Sequence, residues 1–151
     1  MATTLAEIYD IFMMQVTDYR LTALFNTSET DFENFLQAWL DHAIVDFSIC
    51  DQDLDFDDDT KLFPVVLTRK NKIVLATLMK KWWMEKNVND VTQMNLHITD
   101  RDFKVASEAQ NLREKMAALN STREICSQML VDYGYSNVAW ADWYAGDTAG
   151  L

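Results

Sequence analysis

A chain of 151 residues, about half hydrophobic and 12% aromatic, is long and apolar enough to build one core without help from disulfides or a structural metal. Its net charge of −11 argues against a tight nucleic-acid binder, which needs a basic surplus to neutralise phosphates. No apolar run approaches the roughly 20 residues that cross a bilayer, and the opening MATTLAEIYD lacks the basic and apolar regions of a secretion signal, so the expectation is an intracellular, soluble protein or one assembled inside a cell.

The chain order begins with a capping box, Thr4 with Glu7, after which Leu5, Ile8, Tyr9, Phe12 and Val16 recur at helical spacing. Thr30 with Glu33 reads as a second box, opening a helix with Phe32, Phe35, Leu36, Trp39, Ala43 and Phe47 on its apolar face. DQDLDFDDDT at 51–60 follows, with six aspartates in ten positions. It fails as a calcium-binding EF-hand loop in either register: counting from Asp51 puts Phe56 at the turn and Leu62 at the last ligand, and counting from Asp53 puts Asp58 and Pro64 there. In an extended backbone Leu54 and Phe56 point to one side and Asp53, Asp55 and Asp57 to the other, so the segment reads as a pinned loop presenting carboxylates to solvent or to a basic partner.

Thr68 is the expected N-cap of a third helix over 70–86, with Leu75, Leu78, Met79 and Trp82 along one side. The polar NVNDVTQMN at 87–95 reads as a break carrying a short helix that ends near His97. The last large element runs from about 104 to 133, where Val105, Ala109, Leu112, Met116, Leu119, Cys126, Leu130 and Tyr133 form a 3.5-residue seam interrupted by Arg123. Gly134 sits where a left-handed cap would end it. The fold expected is therefore all-α: one compact helical bundle over 1–134 with a long C-terminal helix and an extended acidic loop, then an irregular tail over 135–151. In that tail Trp140, Trp143 and Tyr144 fall on one helical face, either packing on their own domain or anchoring another protein.

Chemistry is sparse. His42 and His97 have no second ligand at metal spacing, Cys50 and Cys126 show no paired spacing and read as reduced thiols, and no phosphate loop, nucleophile elbow or CxxC motif is present. Asp100 and Asp102 suit a helix start better than acid–base work. The expectation is a protein that is not an enzyme and holds no cofactor and no metal. Charge is the stronger signal: residues 1–60 carry −13, residues 61–123 carry +6 and residues 124–151 carry −4. Either the subunit has two complementary surfaces or the opposite charges meet within it. In the first case Asp51, Asp53, Asp55, Asp57, Asp58 and Asp59 would face Arg69, Lys70 and Lys72 of a neighbouring subunit.

The order of features, IYDIFMMQVTDY, then FENFLQAWLDHAIVDF, an extended LDF, LTRKNKIVLATLMKKWW, a break, DFKVASEAQNLREKM and a terminal tail, resembles the small helical head–tail connector proteins of tailed bacteriophages, also called adaptor or head-completion proteins. The resemblance covers most of the chain and rests on element order, without a diagnostic motif. It implies a structural virion protein, assembled in the host cytoplasm into a ring, commonly of twelve copies, between the portal protein and a tail or neck protein. Trp140, Trp143 and Tyr144 would then dock on the portal, and DNA would pass through the ring with only passive contact. The alternative is an acidic protein that inhibits a basic nucleic-acid-binding partner by imitating DNA.

Overall fold

The computed structural model describes residues 2–97 and 102–138, and side chains are described for 2–92 and 109–138. Helix α1, Leu5–Gln15, starts at the expected capping box: the Glu7 amide donates to Thr4 Oγ1, and the Thr4 amide donates to Glu7 Oε1 at 3.2 Å. Its buried stripe is Leu5, Ile8, Tyr9 and Phe12. The helix stops before Val16, and Asp18 caps a helix the sequence reading did not separate, α2, Tyr19–Thr27, by accepting from the Arg20 amide at 2.8 Å. Helix α3, Glu29–Asp46, is capped by Ser28, whose hydroxyl accepts from the Asp31 amide at 3.3 Å. Thr30 and Glu33 thus lie inside the first turns and form no box, because Ser28 reaches the free amides first.

An extended crossing follows α3. Residues 3–5 run beside 61–65 through backbone bonds such as Phe63 to Thr3 at 2.9 Å and Leu5 to Lys61 at 3.1 Å. The Leu67 amide donates to the buried Thr3 hydroxyl at 2.8 Å, tying the segment to the chain's start.

Thr68 then accepts from the Asn71 amide, as expected of an N-cap, and α4 runs unbroken over Arg69–His97. The expected break at 87–95 is absent. Asn, Asp, Val and Thr each cost only about 0.7 kcal/mol or less in a helix, and packing of α4 against α5 outweighs that. Helix α5, Asp102–Ser136, continues through Gly134, which has no positive φ, so the proposed left-handed cap does not form there.

Helix α4 is the centre of the bundle: α1, α3 and α5 all pack on it, while α2 packs on α3. Val74, Leu75, Ala76, Leu78 and Met79 are buried between Phe12 and Ile8 on one side and Leu36, Leu40 and Phe47 on the other. Full burial of each large side chain contributes roughly 1.5–3 kcal/mol. On α5 the buried stripe is Leu119, Thr122, Cys126 and Tyr133, with Met129 partly buried at the remaining step. From Leu119 onward steps of three and four do alternate, but Thr122 rather than Arg123 fills the missing position, Met129 shares the next step with the expected Leu130, and Val105 lies outside the described side chains. Thr122 satisfies its hydroxyl on the Ala118 carbonyl at 3.0 Å, and Arg123 turns outward to Glu85 at 3.0 Å. Met116 is 48% exposed, which takes it off the seam. Among the described residues no helix is long and apolar enough to cross a membrane.

Candidate functional site

The aspartate run is the feature most like a site, and its geometry follows from short-range chemistry. Asp53 Oδ1 accepts from the Asp55 amide at 2.9 Å, and Asp57 Oδ1 accepts from the amides of Asp59 at 2.8 Å and Thr60 at 3.2 Å. These are side-chain turns, in which a carboxylate substitutes for a backbone carbonyl two residues along. The Asp57 amide donates to the Leu62 carbonyl and the Lys61 amide to the Asp57 carbonyl, closing a tight reversal that holds Lys61 at φ 56°. A lysine in this left-handed region costs about 1–2 kcal/mol, and its Nζ donates to Gln37 Oε1 on α3 at 2.8 Å. Leu54 is buried and Phe56 meets Phe63 edge-on at 5.7 Å, so the alternation of inward apolar and outward acidic side chains holds.

The six carboxylates do not act alike. Asp51 turns back into the fold: the buried Tyr133 hydroxyl donates to its Oδ1, the Asp51 amide donates to that hydroxyl at 3.1 Å, and Asn71 Nδ2 donates to Oδ1 at 3.2 Å. The Tyr133 bond, and after it the Asn71 bond, holds the Asp51 carboxyl below the ordinary value of 3.8. Asp57 is lowered by its bonds from the Asp59 and Thr60 amides. Asp58 accepts from Gln37 Nε2 at 2.7 Å and lies 4.0 Å from Lys61 Nζ. Asp53, Asp55 and Asp59 are exposed and form no ion pair among the described residues.

The basic residues divide in the same way. Lys72 is held by Glu7 at 2.5 Å, and that bond is the main cause of the lowered Glu7 pKa. Lys81 pairs with Asp46, which also accepts from Trp82 Nε1 at 2.7 Å. Lys70 lies 4.6 Å above the Tyr133 ring and donates to Ser136 Oγ at 2.8 Å. Arg69 is exposed and makes no ion pair among the described residues. Asp51 and Lys72 therefore have partners within their own chain, a use of them that the intersubunit expectation did not include. Some of the opposite charges therefore meet inside the subunit, and Asp53, Asp55, Asp59 and Arg69 are left on its surface without an ion pair among the described residues.

His42 stacks on Trp82 at 4.8 Å beside Trp39, and Asp46, four residues on, is taken up by Lys81 and Trp82. Among the described residues no three His, Cys, Asp or Glu side chains are grouped to hold a metal ion. Cys50 lies 3.8 Å from the Tyr133 hydroxyl and Cys126 is buried against the Thr77 carbonyl, so each thiol occupies a packing position, and burial pushes the Cys126 thiol up. Trp140, Trp143 and Tyr144 lie outside the described residues.

Two surface grooves complete the geometry. One, of about 420 Å³, runs between α3 and the aspartate loop and is lined by Gln37, Asp41, Ile44, Val45, Leu54, Asp55, Phe56 and Asp58. The other, also about 420 Å³, lies between α4 and α5 and is lined by Arg69, Lys70, Ile73, Val74, Met129 and Asp132. The sequence offered the first through its aspartates. It gave no local sign of Asp41 and Val45, which join the groove only because the loop folds back over α3.

No family model, no curated protein and no solved structure matches this chain.

Proposed function

We propose that this protein is a non-enzymatic connector that acts as a closed ring of identical copies, of the kind that joins portal to tail in tailed bacteriophages. The observation that carries the reading is the residue of charge left after internal pairing. Asp53, Asp55 and Asp59 on the loop and Arg69 on α4 have no opposite charge beside them among the described residues, and they belong to different elements. Unlike patches on one subunit favour head-to-tail contact, and such contact closes into rings when its rotation divides a full turn. The surplus of acid is consistent with a channel along which DNA slides without sticking. Trp140, Trp143 and Tyr144 are the residues proposed to engage the portal.

The test is mass. Light scattering of the full chain, alone and beside a portal ring, is expected to give one closed oligomer in at least one of the two conditions. Removal of residues 139–151 should keep that ring and its helical content but abolish portal binding. A single-subunit mass in both conditions overturns the ring, and undiminished portal binding by the shortened chain overturns the role of the aromatic tail. A subunit that stays solitary yet captures a basic nucleic-acid-binding protein would favour the DNA-mimic alternative instead.

A further inference from the structure

The α3–loop groove has an apolar floor and an acidic rim in the same small space. Ile44, Leu54 and Phe56 line it, Val45 stands 75% exposed at its edge, and Asp41, Asp55 and Asp58 surround it. Burial, and then the charge of Asp58, raise the Asp41 pKa above its ordinary 3.8, while Lys61 and His42 only partly oppose this. Asp41, Asp55 and Asp58 leave the rim net negative even with Lys61 4.0 Å from Asp58, so an arriving cation is favoured over an arriving anion.

The α4–α5 groove is basic along its α4 side, with the single acid Asp132 on its α5 side. Arg69 and Lys70 flank Ile73, which is 37% exposed, and Met129 supplies an apolar wall. Arg69 makes no ion pair among the described residues. A chain with a net charge of −11 repels its own copies, so a lasting contact between copies needs a local match of opposite sign around an apolar centre. These two grooves supply that match, and they share no residue.

We infer that the acidic groove of one copy seats the Arg69–Lys70–Ile73 end of α4 from a second copy, with Val45 against Ile73 at the centre. The inference rests on the ring reading and adds the two surfaces that meet, moving the contact from the aspartate loop alone to a groove that includes α3. The joint is one-directional: each copy uses one groove toward one neighbour and the other groove toward the next.

Two charge-reversed full chains test it, Asp41→Lys with Asp55→Lys, and Arg69→Glu with Lys70→Glu. Each should keep the wild-type circular dichroism and unfold cooperatively on heating. Each alone should lose self-association by at least about tenfold, because like charges then face one another across the joint. Mixed one to one they should associate again and alternate, since each reversed groove now finds its complement on the other chain. The assay is run in whichever condition assembles the wild type. Variants that each assemble as well as the wild type overturn this pairing and leave the ring standing, as does a mixture that stays apart. A wild type that never assembles overturns the pairing and the ring together.

Discussion

Tyr133 heads the fully buried side chains by volume, and its single polar atom is the knot between three elements. Its ring meets Phe47 edge-on at 4.8 Å, at the end of α3, while its hydroxyl holds the carboxylate and amide of Asp51, where the extended crossing begins. Asn71 on α4 reaches the same carboxylate and also donates to Gln52 Oε1 at 2.7 Å, which in turn accepts from the Thr68 amide at 2.8 Å. Tyr133→Phe keeps the ring packing and removes the knot. The expected cost is about 1–2 kcal/mol, read as a lower urea midpoint with an unchanged slope, and an unaltered midpoint would show that the hydroxyl ties nothing. The sequence placed Tyr133 on a core seam but could not pair it with an aspartate 82 residues away. Asp51 looked like its five neighbours because a carboxylate's use depends on what folds against it.

The helices were legible where their signals are local and obscure where packing decides. Thr4 with Glu7, Thr68, and the apolar stripes of α1, α3 and α4 could all be read from spacing. The separation of α2 could not, although Asp18 before Tyr19 is a serviceable N-cap, because Val16 continued the apolar register of α1. The end of α5 was misplaced for a related reason: glycine after an apolar run often marks a left-handed cap, yet Gly134 remains helical. A β-carbon there would meet only Ile49 Cδ1, at 3.9 Å. Gly134→Ala is therefore expected to stabilise the protein by about 0.5–1 kcal/mol, seen as a higher thermal midpoint. A left-handed glycine would give the opposite sign. Of the candidate site, the extended loop with Leu54 and Phe56 turned inward was legible. The α3 wall of the groove was not, because Asp41 and Val45 join the loop only through tertiary folding.

At the scale of the molecule, carboxylates of two kinds set the response to acid. Glu7, Asp51 and Asp57 titrate below their ordinary values of 4.5 and 3.8, so their stabilising contribution is complete above about pH 4.5 and is lost as pH falls through the depressed values. Asp41 titrates above its ordinary value, so its charge penalises the folded state at neutral pH, and protonation removes that penalty first. Stability is expected to rise slightly on the first acidification below neutral pH, as Asp41 is protonated, and then to fall as pH drops below about 4.5, measured as the urea midpoint against pH. A profile that declines steadily from pH 7 would contradict this ordering. The central place of α4 has a further consequence for the order in which the polypeptide is made. Helices α1 and α3 both rest on residues 74–79, so Phe12, Leu36 and Phe47 leave the ribosome before the surface they will cover exists. Until that stretch of α4 emerges, the growing chain holds an uncovered set of aromatic and leucine side chains, which makes the interval before its synthesis the time of greatest exposure to holdase chaperones and to aggregation.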